Sequence, residues 1–137
     1  MSTIEEKNKE VVRKAIQAFN QQDLDLYLSY HTEDYTSREV FYPEPLTRAQ
    51  VAEFMPRYWR AYPDAYVDTQ HIYAAGDHVI VENIMSGTLT NDFDDLKATG
   101  RSFKVWEACV FDMHDGKIKA ARVYTDRLAI NEMLGVS

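Results

Sequence analysis

The last forty residues of the chain contain two long apolar runs separated by a tight-turn signal. The first run extends from Arg101 to Met113, the turn is Asp115-Gly116, and the second run extends from Lys117 to Asp126. An Asp-Gly pair between two such runs is typical of a β-hairpin. Residues Leu128 to Leu134 then have helical spacing and end at Gly135, a natural helix cap. The chain is therefore predicted to end in a long hairpin followed by a short helix.

A second hairpin is predicted directly before the first. Its strands extend from Ala65 to Ala75 and from His78 to Thr90, with Gly76-Asp77 as the turn between them. The polar, acidic segment from Asn91 to Ala98 is predicted to be a loop.

The first half of the chain has helical periodicity instead. Capping-box patterns at Thr3-x-x-Glu6 and Thr47-x-x-Gln50 start a first and a third helix, and Asp23 can cap a second. The apolar positions at helical spacing are Ile4, Val11, Val12, Ala15, Ile16 and Phe19 in the first helix, Leu24, Tyr27, Leu28 and His31 in the second, and Val51, Phe54, Met55, Tyr58, Trp59 and Tyr62 in the third. Pro56 lies inside the third pattern and is expected to kink or split that helix.

This order of elements determines the fold class. Helices come first and antiparallel strands follow, which favours an α+β domain over an alternating α/β one. Long hairpins curl because strands twist, so helices packed across the curled sheet enclose a concave volume. A small-molecule pocket is expected in that volume, in a single domain of residues 1–137.

The composition disfavours several classes of function. The net charge of the 137-residue chain is -7, so nucleic acid and anionic membranes are poor partners, and no metal or cofactor is expected because no zinc, phosphate-loop or nucleophile motif occurs. The acidic residues Glu5, Glu6 and Glu10 do not fit a secretory signal, and we expect a cytoplasmic protein. Aromatic residues make up 12% of the chain, enough to line a pocket as well as fill a core.

Several local patterns occur together in a family-specific order. They are Val11-Val12 to Phe19-Asn20 with Asp23-Leu24, Asp34-Tyr35, Tyr62-Pro63-Asp64, Ala75-Gly76-Asp77, Ser86-Gly87-Thr88, Thr99-Gly100-Arg101 and Asp115-Gly116-Lys117-Ile118. In order and spacing the chain resembles the SnoaL-like polyketide cyclases of the nuclear transport factor 2-like superfamily. The resemblance implies a cone-shaped, mostly antiparallel sheet with N-terminal helices over its concave face. It does not imply one reaction, since the superfamily includes cyclases, isomerases, dehydratases, epoxide hydrolases and non-catalytic binders.

The resemblance also suggests roles for individual residues. Asp126 matches the family's acid at the end of the last strand. Arg38 stands where many relatives have a histidine, and Glu39 falls near the base of the more distant ketosteroid isomerases. The oxyanion donors of those isomerases fall on Ala15 and Cys109 here, which argues against that activity.

Three residues are candidate catalytic groups. Asp126 can act as a base next to a substrate carbonyl, or it can simply cap the last helix. Glu107 is a carboxylate on an otherwise apolar strand face, so it is either functional or paired with a cation such as Arg122. His71 lies on a strand expected to line the pocket, and an imidazole there is a candidate general acid.

A further set of residues is predicted to bind substrate. Its charged members can clamp a carbonyl or carboxylate, and its aromatic members can form a pocket wall, although core packing or solvent exposure explains either group equally well. The set is Arg38, Glu39, Tyr58, Trp59, Tyr62, Trp106, Arg122 and Tyr124. Apolar residues on both faces of the last strands also predict a homodimer.

These observations leave three hypotheses for function. The first is a cofactor-independent cyclase or isomerase that uses acid/base chemistry on a hydrophobic carbonyl compound. The second is a non-catalytic ligand-binding or dimerisation module, and the third is a limonene-type epoxide hydrolase.

Overall fold

The computed structural model describes residues 3–40 and 42–136 and has the predicted α+β architecture. The helices and strands, in chain order, are α1 (Ile4–Asn20), α2 (Leu24–Ser29), β1 (His31–Glu39), β2 (Leu46–Thr47), α3 (Arg48–Ala61), β3 (Tyr66–Ala75), β4 (His78–Thr88), β5 (Ser102–His114), β6 (Lys117–Thr125) and α4 (Arg127–Leu134). No helix of the described part is both long and apolar enough to cross a membrane.

The strands form one curved, unclosed sheet in the order β2-β1-β6-β5-β4-β3. The two predicted hairpins are present, and β4, β5 and β6 pair antiparallel over most of their lengths. Strand β1 is the exception, because it pairs parallel to β6. That pairing places the first strand next to the last one, at the centre of the sheet.

Alternation along the strands divides the sheet into two faces. One face packs against α1 and α3 through two groups of buried side chains, one near Val12 and the other near Trp59. The opposite face is largely exposed, and it carries Tyr73, Trp106 and Tyr124. The expected concave volume therefore lies between the helices and the first of these faces.

One local prediction was wrong. His31 belongs to β1 and not to the second helix, because α2 ends at Ser29 and the backbone then pairs with β6 opposite Ile118. Of the two effects expected from Pro56, a split of the third helix does not occur, because α3 continues through it as one element from Arg48 to Ala61. An exposed proline in a helix removes one backbone hydrogen bond, and the flanking apolar contacts of α3 outweigh that loss here.

The caps match the sequence patterns closely. Thr47 and Gln50 form a complete capping box at the start of α3. At the start of α4, the Asp126 carboxylate accepts a hydrogen bond from the backbone N–H of Ala129 at 3.0 Å. Gly135 ends α4 in the left-handed region, with φ of 74°. Asp126 is exposed to solvent, so its visible role is to begin the last helix.

We expect Asp126→Ala to lower the free energy of unfolding by about 1 kcal/mol, because α4 loses its N-cap acceptor. Asp126→Asn keeps an acceptor at the same position and should be close to wild type in stability. Urea unfolding followed by tryptophan fluorescence measures both changes. A stable Asp126→Asn protein that loses all activity would contradict a purely structural role and make Asp126 a catalytic residue.

Candidate active site

A cavity of about 190 Å³ lies between the concave face of the sheet and the helices. Its wall is mainly aromatic and aliphatic. The aromatic members are Phe19, Tyr27, Tyr35, Tyr42, Phe54, Tyr58, Tyr62, Phe93, Phe103 and Phe111. An enclosed apolar cavity with a few polar groups has the ordinary form of a small-molecule site.

Polar side chains cross this apolar wall as a row on four adjacent strands. Asn83 on β4 is directly opposite Glu107 on β5, and Glu107 is directly opposite Thr125 on β6. On β1, Glu39 is opposite Val123, the residue two positions before Thr125 on the same face of β6. All four polar side chains line the cavity. We call Asn83, Glu107, Thr125 and Glu39 the polar row.

Glu107 occupies the middle of the polar row. Burial raises the pKa of its carboxyl group, while the neighbouring side chains of Asn83, Cys109 and Thr125 oppose this rise. The Cys109 thiol donates to Glu107 Oε1 across 3.7 Å. Because Cys109 is itself buried, its pKa is raised as well and it remains a thiol. Hydrogen-bond donors on its neighbours therefore make Glu107 the carboxyl group that is better able to hold a negative charge.

Glu39 holds its proton more strongly. Burial and the nearby negative charge of Glu107 raise the pKa of Glu39 from 4.5 to about 7. The Ser37 hydroxyl donates to Glu39 Oε1 at 3.4 Å, and this contact and the positive charge of Arg127 act in the opposite direction. Below about pH 7 Glu39 therefore keeps its proton, and Glu107 is the group of the pair that ionises first.

Arg127 is the first residue of α4, directly after the Asp126 cap. It lines the cavity; burial raises the pKa of the Tyr62 hydroxyl, and the positive charge of Arg127 opposes that rise. Capping by Asp126 therefore has an indirect effect on the site, because it begins the helix that presents this guanidinium group. Asp126 is not among the described residues that line the cavity.

Buried polar atoms of the wall without a hydrogen-bond partner among the described residues include the Asn83 side-chain oxygen and the Tyr62 hydroxyl. These two residues are 2% and 1% exposed. Buried polar atoms are normally paired, so a water molecule or a ligand in the cavity would satisfy them.

Of the residues predicted from sequence, the structure brings four together in the cavity wall: Glu39, Glu107, Tyr58 and Tyr62. Trp59 is buried, but it packs in the core against Phe19. The remaining residues lie elsewhere in the described structure: Arg38, His71, Trp106 and Tyr124 are exposed on strands away from the cavity, and Arg122 forms an ion pair with Asp112 at 2.8 Å.

Strand parity explains this division. On β6 the cavity side carries Ala121, Val123 and Thr125, so Arg122 and Tyr124 necessarily face outward. On β5 the cavity side is the one with Glu107, and the Trp106 side chain is 58% exposed on the other.

The sequence analysis missed Asn83, Thr125 and Arg127 as members of the site. Asn83 had a visible signal, because it continues the buried alternation of Val79 and Val81 with a polar side chain. No local sequence pattern identifies Arg127 as a site residue, because its position depends on the direction in which α4 leaves the sheet.

We expect the free energy of unfolding of Glu39→Gln to increase relative to that of wild type as the pH rises. The folded-state pKa of Glu39, about 7, lies above its ordinary value of 4.5. Between these two values the unfolded chain loses the Glu39 proton while the folded chain keeps it, so wild-type stability falls as pH rises through this window. Glu39→Gln removes this loss and should therefore gain about 3 kcal/mol on wild type between pH 4 and pH 8.

Urea unfolding of both proteins across this pH range is the measurement. His31 contributes the opposite trend, because burial lowers its pKa to about 4, but it is present in both proteins and cancels in the difference. Glu82→Gln, on the other face of β4, is the matched control and should give a flat difference. If the difference in free energy of unfolding between Glu39→Gln and wild type is also independent of pH, burial does not raise the pKa of Glu39.

Comparison with known proteins agrees with this fold and places the chain in a family. Among solved structures, a protein assigned as a SnoaL-like polyketide cyclase from Jannaschia sp. CCS1 is 21% identical with a TM-score of 0.89, over 100% of this chain and 97% of that protein. A protein assigned as a polyketide cyclase from Streptomyces antibioticus is 22% identical with a TM-score of 0.81, over 94% of this chain and 99% of that one.

An epoxide hydrolase of the LEH-like type from M. tuberculosis is 19% identical with a TM-score of 0.76, over 93% of this chain and 89% of that protein. At these identities the structures share the fold and do not define an activity. No curated protein matches the chain significantly. The sequence profile of the SnoaL-like polyketide cyclases, however, matches residues 9–134, nearly the whole chain, and the protein therefore belongs to the SnoaL-like polyketide cyclase family.

Proposed function

We propose that the protein is a cofactor-independent enzyme that performs acid/base chemistry on a hydrophobic carbonyl compound, by cyclisation or isomerisation through an enolate. The observation that carries this proposal is the presence in one aromatic cavity of two carboxyl groups, Glu39 and Glu107, of which Glu39 holds its proton more strongly. An acid and a base with separated pKa values are what such chemistry needs.

In the proposed mechanism Glu107 is the base. Its carboxylate removes a proton from the carbon next to the substrate carbonyl, and the electron pair of that C–H bond moves to form the enolate. Glu39 carries the proton of the pair and donates a hydrogen bond to the oxygen on which negative charge develops. Arg127 adds positive charge on the same side of the cavity, which stabilises that oxygen further.

The second half of the reaction returns the proton. In an isomerisation, Glu107 gives its proton to a different carbon of the enolate. In a cyclisation, the enolate carbon forms a bond to a second carbonyl carbon of the same molecule, and the resulting alkoxide takes the proton of Glu39. Transfer of the remaining proton from Glu107 to Glu39 then restores the starting state, so neither reaction consumes a co-reactant.

The aromatic wall fits this role. The rings of Tyr58 and Tyr62 are tilted relative to each other, with their centroids 4.8 Å apart. They contact the same apolar space as Phe103. Such a wall excludes water from the reacting carbons and strengthens each charge interaction within the cavity. Asp126 and His71 have no role in this proposal, because they lie outside the cavity wall.

Epoxide hydrolysis is a second candidate, and the same carboxyl pair favours it. The ionised Glu107, with Asn83 beside it, can hold and activate a water molecule, while the protonated Glu39 can donate to the epoxide oxygen as the C–O bond breaks. The fold shared with the epoxide hydrolase from M. tuberculosis is compatible with this reaction.

We expect wild-type protein in heavy water to exchange the α-protons of β-tetralone, observed by proton NMR. Exchange should slow as pH rises past about 7, where Glu39 loses its proton. Glu107→Gln should slow exchange at least about a hundredfold because the base is lost. Glu39→Gln should slow it less and abolish the decline at high pH.

Glu82→Gln again serves as the matched control and should exchange at the wild-type rate. Cyclohexene oxide in water labelled with heavy oxygen tests the second candidate, since hydrolysis places the label in a diol. Binding of the ketone without exchange, and no diol from the epoxide, would contradict both reactions and leave a non-catalytic binding module.

We also propose that the protein is a homodimer that uses the exposed face of the sheet. Five large apolar side chains on that face are between 36% and 58% exposed: Tyr66, Tyr73, Ile80, Trp106 and Tyr124. An exposed apolar surface of this kind on a regular sheet is typical of an association surface.

We expect sedimentation velocity to give a dimer for wild type and a monomer for Trp106→Glu, with the folded circular dichroism spectrum retained. Asp68→Asn, at the margin of the same face, is the control and should remain dimeric. A wild-type monomer at all accessible concentrations would contradict the proposed homodimer.

A further inference from the structure

The charges around the cavity do not balance. Two carboxyl groups, Glu39 and Glu107, line it, whereas Arg127 is the one permanently cationic side chain among the described lining residues. When both carboxyl groups are ionised, the cavity wall therefore has an excess of one negative charge. In the empty protein a proton on the pair cancels this excess.

The rest of the wall suits a positive charge. The rings of Tyr35, Tyr58 and Tyr62 lie around the same space as the carboxyl pair, and Glu39 or Glu107 interacts electrostatically with the first two. Aromatic faces carry partial negative charge and attract organic cations, most strongly where water is excluded. An anionic ligand would instead meet repulsion from the carboxyl pair.

The buried polar atoms of the wall that have no hydrogen-bond partner also favour such a ligand. The Asn83 oxygen is a hydrogen-bond acceptor, buried and without a partner, and it lies beside Glu107 on the neighbouring strand. The Tyr62 hydroxyl, also without a partner among the described residues, can accept as well as donate. A ligand with N–H donors would satisfy both atoms.

We propose that the cavity binds a hydrophobic ammonium ion, which takes the place of the proton between Glu39 and Glu107 and packs against the aromatic wall. This ligand class shares its site with the proposed function, but its binding requires no reaction. A substrate that carries both a carbonyl group and an amine would satisfy both proposals.

Several other titratable or charged groups also face the carboxyl pair. They are Tyr27 on α2, His31 and Tyr35 on β1, Tyr58 on α3, Tyr62 at its end, Cys109 on β5 and Arg127 on α4, with the phenol of Tyr42 on the loop after β1. Burial raises the pKa values of Tyr27, Tyr35, Tyr58, Tyr62 and Cys109 and lowers that of His31 to about 4. Proton release near neutral pH is therefore expected from the carboxyl pair.

The test compares the primary ammonium ion of cumylamine, which carries three N–H donors, with tert-butylbenzene, a neutral molecule of the same shape. Calorimetric titration in two buffers of different ionisation enthalpy should show release of about one proton per ammonium ion bound near pH 6, where Glu39 still holds its proton. The affinity for the ammonium ion should fall about 30-fold from pH 8.5 to pH 5.5, where the proton of Glu39 must be displaced. The affinity for tert-butylbenzene should be the same at both pH values.

Glu39→Gln and Glu107→Gln should each lose most of the preference for the ammonium ion and retain the affinity for tert-butylbenzene, which shows that the cavity is intact. Glu82→Gln should keep the wild-type preference. Equal binding of the two probes by wild type at pH 8.5, an affinity for the ammonium ion that does not change with pH, or no binding of it would overturn the proposal.

The two proposals fail separately. Ammonium binding without exchange of ketone protons would leave the ligand class and remove the enolate chemistry. Exchange of ketone protons without a preference for the ammonium ion would leave the enolate chemistry and remove the proposed ligand class.

Discussion

Repulsion between two buried carboxyl groups is the interaction on which the site depends. Glu39 and Glu107 come from strands separated by β6, and both are largely buried, so little water screens their charges. Each therefore changes the protonation of the other, and the thiol, amide and hydroxyl groups beside Glu107 decide which group ionises first. An apolar cavity that contained only one of these carboxyl groups would have an acid or a base, but not both.

The last helix shows how a structural residue can support a site from outside it. Asp126 is exposed and binds only the backbone of α4, as far as the described contacts show. Its effect on the cavity passes through the helix that it begins, whose first residue, Arg127, lines the cavity and interacts electrostatically with Glu39. A residue of this kind resembles a catalytic acid in a sequence, because both are carboxylates at the end of the same strand.

The fold was largely predictable because turns, caps and periodicity are local. Asp115-Gly116, the Thr47 capping box and the alternation in β5 each specify their own element, and the order of the elements specifies the class. The site was less predictable, because the inward face of a strand depends on register and on what covers the sheet. Glu107 was recognisable as a carboxylate on an apolar face, yet Trp106 and Glu107 are adjacent and only the fold distinguishes them. The role of Arg127 depends on the direction of a helix axis, for which no single residue is a signal.

The parallel pairing of β1 with β6 has a consequence for how the protein is made. The polar row combines Glu39, from the first third of the chain, with Glu107 and Thr125, from the last third. Because β6 lies between β1 and β5, these parts cannot meet until β6 has left the ribosome. Contacts between such distant segments form slowly, since a long loop must close before they stabilise anything. Until β6 is in place, the edge of β1 and the apolar side of β5 are both uncovered, so this strand completes the cavity and also protects the nascent chain against aggregation.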